Sequence, residues 1–254
     1  METLREGARR LGLQLSQQHL DRFQTLYEEL ARWNERYNLT AITGYQQVQT
    51  RHLLDSLTCL LAFPAGPDED EIPDSVPVQR QPGALSCLDV GTGAGFPGLP
   101  LRILLPDLRL TLLESVQKKA QWLQYIVRKL ELSQVEIVVG RAEEVAHDET
   151  HRERYDVVVA RAVAPLTILA EYGLPFCRVG GRLIAPKGDE ATQEAAAAEA
   201  AIRMLGGRLT TIKAVPLPDL LPGHHLVVID KQASTPERYP RRTGIPSKRP
   251  LTCS

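Results

Sequence analysis

Cysteine, methionine and aromatic residues are all scarce in this chain. Its 254 residues include four Cys and two Met, and only 5% are Phe, Trp or Tyr. Cys59, Cys87, Cys177 and Cys253 are scattered, with no Cys-x-x-Cys pair. A disulfide framework and a zinc-type ligand set are therefore not expected, and a reducing cytoplasm fits. Cys59 and Cys87 lie in apolar runs and read as small buried hydrophobes. The six histidines add no metal-ligand spacing, so no metal is expected. No apolar run approaches the ~20 residues of a membrane span. Met1 to Arg10 is charged and lacks the apolar core of a secretory leader. The net charge of -1 does not by itself call for a polyanionic partner.

What is present is a soluble globular composition, 43% hydrophobic and 24% charged, long enough to bury a core. From Ser16 to Tyr37 the apolar residues Leu20, Phe23, Leu26, Tyr27, Leu30, Trp33 and Tyr37 recur every three to four positions. That spacing predicts an amphipathic helix with Ser16 as N-cap. A second helical pattern runs from about Gln46 to Phe63. Together they make a helical lobe over 1–63. Residues 64–84, rich in Pro, Asp and Glu, read as an exposed linker.

From 85 to 235 strands and helices alternate. Strands are predicted at Leu85–Val90, Leu108–Glu114, Val135–Gly140, Tyr155–Ala160 and Gly181–Pro186. Helices are predicted at Pro97–Leu105, Gln117–Leu130, Glu143–Ala146, Pro165–Phe176 and Glu190–Leu205. Such alternation means an α/β fold with a parallel sheet covered on both faces. Arg208–Val215 and His225–Asp230 read as an antiparallel pair at its edge. Residues 236–254 form a basic tail.

The most informative stretch is Asp89-Val90-Gly91-Thr92-Gly93-Ala94-Gly95-Phe96-Pro97-Gly98, a glycine turn between the first strand and its helix. Glu114 ends the second strand, 23 positions after Gly91, close to the ~20 of dinucleotide-type sites, where an acid holds the ribose hydroxyls. Two residues discriminate between cofactors. Phe96 stands where the third glycine of a pyrophosphate turn belongs. Asp89, ahead of the turn, suits the ammonium of a methionine group better than a pyrophosphate. S-adenosyl-L-methionine is thus favoured, with an NAD-dependent oxidoreductase as the alternative. Ala142 and Glu143, after the third strand, stand where an adenine edge is held.

Several separated motifs agree with one family. Tyr37-Asn38-Leu39-Thr40-Ala41-Ile42, His52-Leu53-Leu54-Asp55-Ser56, the glycine turn, Arg141-Ala142-Glu143, Ala160-Arg161-Ala162 and the tail from Pro236 to Leu251 together resemble the bacterial 16S rRNA guanine-N7 methyltransferases. That family is also called glucose-inhibited division protein B. The resemblance covers nearly the whole chain. It implies the class I S-adenosylmethionine-dependent methyltransferase fold, a Rossmann-like seven-stranded sheet with a helical N-terminal extension. It also implies methylation at N7 of guanine 527, in standard 16S rRNA numbering. Cofactor contacts are implied at Gly91, Phe96, Glu114, Ser115, Val116, Ala142, Glu143 and Arg161, beside the Asp89 and Gly93 of the turn. The partner is 16S rRNA, within a small ribosomal subunit or its precursor, and the enzyme is expected to act as a monomer. The acidic stretch at 64–83 departs from the compact family pattern.

Guanine N7 carries a lone pair and no proton, so its methylation needs positioning rather than a general base. This agrees with the lack of any nucleophile motif. The Asn/Asp-Pro-Pro-aromatic motif of amine methylation is also absent after the fourth strand. Arg161 stands there instead, expected to contact the methionine end of the cofactor or the O6 edge of the guanine. Lys187 is expected on the same rim, facing a phosphate. Arg238, Arg241, Arg242, Lys248 and Arg249 are expected to form an extended phosphate-tracking arm, with Tyr239 stacking on a base. His52 and Asp55 share a helix face and either anchor the lobe to the sheet, the favoured reading, or help line the RNA entrance. Calorimetric titration should show binding of S-adenosylhomocysteine and not of NAD; the reverse result would restore the oxidoreductase.

Overall fold

A computed structural model describes residues 1–64, 85–217 and 219–251. Most of the predicted linker, residues 65–84, and Cys253 lie outside the described residues.

The N-terminal lobe begins with α1 (Glu2–Arg10) and α2 (Gln17–Tyr37). Ser16 caps α2 as expected: its hydroxyl accepts from the His19 amide, and the His19 ring accepts from the Ser16 amide. Here His19 fills the place usually taken by Glu or Gln in a capping box. Asn38 ends α2 in the left-handed conformation, so the Asn38-Leu39-Thr40 motif begins as a helix cap. Helix α1 was not anticipated. It buries only Leu4, Gly7 and Ala8, too few for a visible periodicity, and the bare face of Gly7 lets Leu54 pack directly on it.

The second predicted helix is a composite. Helix α3 (Tyr45–Val48) runs into a π-helical segment, Gln49–Leu54, then α4 (Asp55–Thr58) and a 3₁₀ turn, Cys59–Ala62. A π segment rotates the following residues relative to a regular helix, a device common at functional sites. Here it orients His52 and Asp55.

The second unit is a seven-stranded sheet of order β3-β2-β1-β4-β5-β7-β6. Its elements are β1 (Ser86–Val90), α5 (Gly98–Leu104), β2 (Arg109–Glu114), α6 (Gln117–Lys129), β3 (Val135–Val139), α7 (Ala142–Val145), β4 (Tyr155–Val159), α8 (Leu166–Gly173), β5 (Cys177–Lys187), α9 (Ala191–Met204), β6 (Gly207–Ala214) and β7 (His225–Lys231). Strands β1 to β5 pair in parallel; β7 is antiparallel to both β5 and β6. The expected edge pair is thus present, with β7 inserted between β5 and β6.

Two hydrophobic clusters cover the two faces of this sheet. One joins α5, α6 and the N-terminal lobe, with Phe23, Leu54, Leu99 and Trp122 at its centre. The other joins α8, the alanine-rich face of α9 and two residues of the C-terminal segment, Tyr239 and Leu251. That segment ends in a short α10 (Ile245–Lys248). Cys59 and Cys87 are buried and free, as their apolar surroundings predicted, and so is Cys177. No helix of the described residues is long and apolar enough to cross a membrane.

Gly95 has φ +98°, and a Cβ there would lie 2.3 Å from Leu99 and 3.3 Å from Leu123. Gly95→Ala is expected to lower unfolding free energy by about 2–4 kcal/mol, from overpacking plus left-handed strain. Urea denaturation would check this.

Candidate active site

The topology makes one crevice. In sheet order the chain reverses between β1 and β4, and open α/β sheets bind ligands outside the carboxyl ends of the strands at such a switch point. The glycine turn leaves β1 there. Its fold is set by acids beneath and beside it. Asp89 Oδ2 accepts from the Thr92 hydroxyl (2.6 Å) and the Gly98 amide (2.7 Å). Glu114 accepts from the Gly93 amide (2.9 Å) on one oxygen and the Val116 amide (2.8 Å) on the other. Trp122 Nε1 donates to the Ala94 carbonyl from α6. Gly91 and Gly93 both lie at positive φ.

Beside the turn is a shallow cleft that opens to solvent at the carboxyl ends of the strands. Of the residues named from sequence, Gly91, Ser115, Ala142 and Glu143 line it. The structure adds residues that sequence reasoning missed, notably Val163 and Tyr172. Val163 follows Ala162, a non-glycine residue at φ +54°. That strained residue makes a corner between Arg161 and Val163, and Val163 packs against the Gly91 backbone. A left-handed alanine leaves no mark in a sequence.

Asp89 is not in the cleft. It is fully buried under the turn, which corrects its expected contact with an ammonium. Burial pushes its carboxyl up to about 6, against hydrogen bonds from Thr92 and Gly98 that pull it down. Its Oδ1 is buried without a hydrogen-bond partner, so a cationic ligand nearby would stabilise the ionised form through its field. Glu114 keeps lone pairs free after its two amide bonds, as a ribose diol requires. Orphaned anion and ribose acceptor, at the mouth of the switch-point cleft, together fit S-adenosylmethionine.

Phe96 also lies outside the cleft, turned toward the lobe. Its ring stacks on His52 at 4.5 Å between centroids, and the Arg161 guanidinium lies 5.5 Å from its centroid. Arg161 donates to the Arg51 carbonyl (2.8 Å), pairs with Asp55 and approaches His52 Nδ1 (3.2 Å). His224, from the loop before β7, contacts the other Asp55 oxygen. Arg161 therefore joins lobe to sheet and does not line the cleft. His52 and Asp55 are the anchors expected.

Burial alone would raise the Asp55 carboxyl, yet His224 and Arg161 hold it below the usual range. Burial, helped by the Arg161 charge, lowers His52 to about 4. His52 is thus neutral near pH 7, and its Nε2 lies 2.9 Å from the Thr40 hydroxyl.

The basic residues require two corrections. Lys187 is not a free rim cation: it donates to Glu194 (2.7 Å) and the Ala164 carbonyl (2.9 Å), tying β5 to the start of α8. The tail is not an extended arm. Arg241 forks onto the buried Glu171 (2.6 and 2.9 Å), and Tyr239 is buried with its hydroxyl 2.8 Å from the Met204 sulfur. A buried acid on α8 could not be inferred from the tail's own sequence. Arg238, Arg242, Lys248 and Arg249 remain exposed, Arg238 over the Tyr239 ring.

The strand order, the switch-point cleft and the acid closing β2 define a class I S-adenosylmethionine-dependent methyltransferase. A solved structure of a mutant of MtNAS in complex with S-adenosylmethionine shares the fold, with TM-score 0.50, 13% identity, and coverage of 85% of this chain and 75% of that one. The family GidB, described as rRNA small subunit methyltransferase G, matches residues 19–220. The chain belongs to this family. It is 47% identical to ribosomal RNA small subunit methyltransferase G of Roseiflexus castenholzii over 251 residues, 99% of this chain and 100% of that protein. With the same-named protein of Pelotomaculum thermopropionicum it shares 47% over 250 residues, 98% of each. The oxidoreductase alternative finds no support among these relatives.

Two outcomes follow. Asp55→Ala should cost about 3–5 kcal/mol, because it leaves the Arg161 charge without its carboxylate, and Arg161→Ala should cost less, because His224 still contacts Asp55. The double variant should cost less than their sum, as a denaturation double-mutant cycle would show. The pH dependence has two opposed parts. An unfolded His52 takes up a proton below pH 6.5 while the folded one does not until about 4, so stability falls on acidification across that window. Asp89, raised from 3.8 to about 6, gains stability as pH falls through the same region. His52→Asn should remove the first part alone. Relative to its own value at pH 7.5, the variant should then be about 2–3 kcal/mol better off than the parent at pH 4.5, in denaturation at both pH values.

Proposed function

We propose that the chain transfers a methyl group from S-adenosyl-L-methionine to N7 of a guanine in 16S rRNA, the one at position 527 in standard numbering. The observation that carries this reading is the cleft at the β1–β4 switch point with Glu114 at its side, in a chain of the rRNA small subunit methyltransferase G family. When bound, the cofactor supplies an electrophilic methyl on a sulfonium.

The chain's own residues have positioning to do. Glu114 accepts the ribose hydroxyls. Ala142 and Glu143 hold the adenine edge. The Gly91 and Gly93 backbone would hold the methionine part, with Ser115 and Val116 beside Glu114. Phe96 and Asp89 support the turn from the lobe side and from below. The N7 lone pair needs no base, so rate comes from in-line alignment and water exclusion. Arg161 acts through the shape of the lobe–sheet joint, fixing Ala162 and Val163 over the turn.

Arg238, Arg242, Lys248 and Arg249 meet RNA phosphates, as exposed cations on one short segment. The substrate is the rRNA within a small subunit or its precursor, which places the working enzyme in the cytoplasm. The enzyme acts as a monomer: its exposed large apolar side chains, such as Tyr37, Val116 and Val179, are scattered along the chain.

Mass mapping of modified nucleotides after treating unmethylated small subunits should find one added methyl on that guanine; methylation elsewhere, or none, would refute the assignment. Arg161→Lys keeps the charge but loses the fork. It should lower kcat about 100-fold through misplacement, and near-normal turnover would remove Arg161 from the positioning set.

A further inference from the structure

The C-terminal segment lies directly behind two walls of the cleft. Glu143 and Tyr172 both line it. The Gly244 amide donates to Glu143 Oε1 (2.9 Å), and the neighbouring Thr243 hydroxyl donates to Glu144 (2.8 Å). Glu143 is 6% exposed, so that amide is a main source of compensation for a buried carboxylate. The Tyr172 hydroxyl faces both Glu143 and Ser247. The adjacent residue, Glu171, is completely buried and takes both the fork and the backbone amide of Arg241. Around this, His147 contacts the Pro240 carbonyl (2.8 Å) and Arg152 holds the Thr235 and Tyr239 carbonyls (2.8 and 2.9 Å). Helices α7 and α8, which carry the two walls, are thus clamped by one stretch of chain.

The same stretch presents Arg242, Lys248 and Arg249 to solvent on its outer side. We propose that residues 239–248 are a positioning clamp for the adenine side of the cofactor cleft, and that this clamp couples RNA binding to cofactor binding. The inference rests on the methyltransferase reading above. Arg241 is its pivot: among the described residues it alone forms an ion pair with Glu171. Gly244 is its contact with the cleft. Its left-handed φ of +78° aims the amide at Glu143. Coupling of this kind is reciprocal: whatever RNA does to cofactor affinity, the cofactor must do to RNA affinity. The clamp also reverses the expectation for a basic tail, whose removal would trouble RNA alone.

The test uses the full chain with S-adenosylhomocysteine as probe. Hydrogen exchange read by mass spectrometry should slow severalfold in 239–248 when the probe binds, together with the glycine turn. Arg241→Gln should weaken probe binding about tenfold by calorimetry. Combined replacement of Arg242, Lys248 and Arg249 by Ala should leave probe affinity unchanged and weaken binding of 16S rRNA. Saturating RNA should tighten probe binding to the parent chain and not to that triple variant. Protection confined to the turn, or a folded Arg241→Gln chain that binds the probe like the parent, would overturn the clamp. If Arg241→Gln does not fold, the exchange experiment on the unaltered chain decides alone. Failure of the parent chain to bind the probe at all would instead overturn the methyltransferase reading.

Discussion

Arg161 leaves the end of β4 and places its guanidinium among Asp55, the Arg51 carbonyl and His52. An unpaired charge in this environment costs several kcal/mol, and Arg161 and His224 together compensate the buried Asp55. The lobe and the sheet are consequently one unit wherever this pair is formed. The glycine turn depends on it too. Phe96 is held against His52 on one side of the turn, while the left-handed Ala162 brings Val163 over Gly91 on the other. A joint between two packing units thus shapes the edge of the cofactor cleft.

The acids of the site work by holding backbone in place. Glu114 ties the turn after β1 to the loop after β2, and does so without using all of its acceptor capacity. Asp89 braces the turn from below through Thr92 and Gly98. Glu143 and Glu171 perform the same service for the C-terminal segment. A methyl transfer to a ring nitrogen with a free lone pair asks for little more. There is no proton to remove, so a rigid, dry arrangement of electrophile and nucleophile is the main requirement.

The elements of the sheet were legible because each is a short apolar run between helical patterns, and parallel strands buried on both faces must look so. The antiparallel β6–β7 edge was legible from the apolar run of β7 and the Pro-rich connection before it, although β6 itself is largely exposed, and the insertion of β7 between β5 and β6 was not. Helix α1 escaped because its single turn of burial depends on Leu54, which is far away in sequence. The π segment at Gln49–Leu54 escaped because its hydrophobic spacing still passes for an ordinary helix.

At the site the division is similar. The turn, Glu114 and the position of Ala142 and Glu143 could be read directly, since spacing along strands and turns decides where those residues stand. The sequence alone also determined the family and the cofactor class, through motifs whose order and spacing are local properties of the chain. Tertiary structure decided the partners of the charges. Lys187, Arg161 and Arg241 looked alike as basic residues near strand ends or in a tail. Glu194, Asp55 and Glu171 turned them into a clip, a joint and a clamp. A charge's role depends on what lies within a few ångströms of it in the folded molecule, and these partners are 7 to 106 positions away.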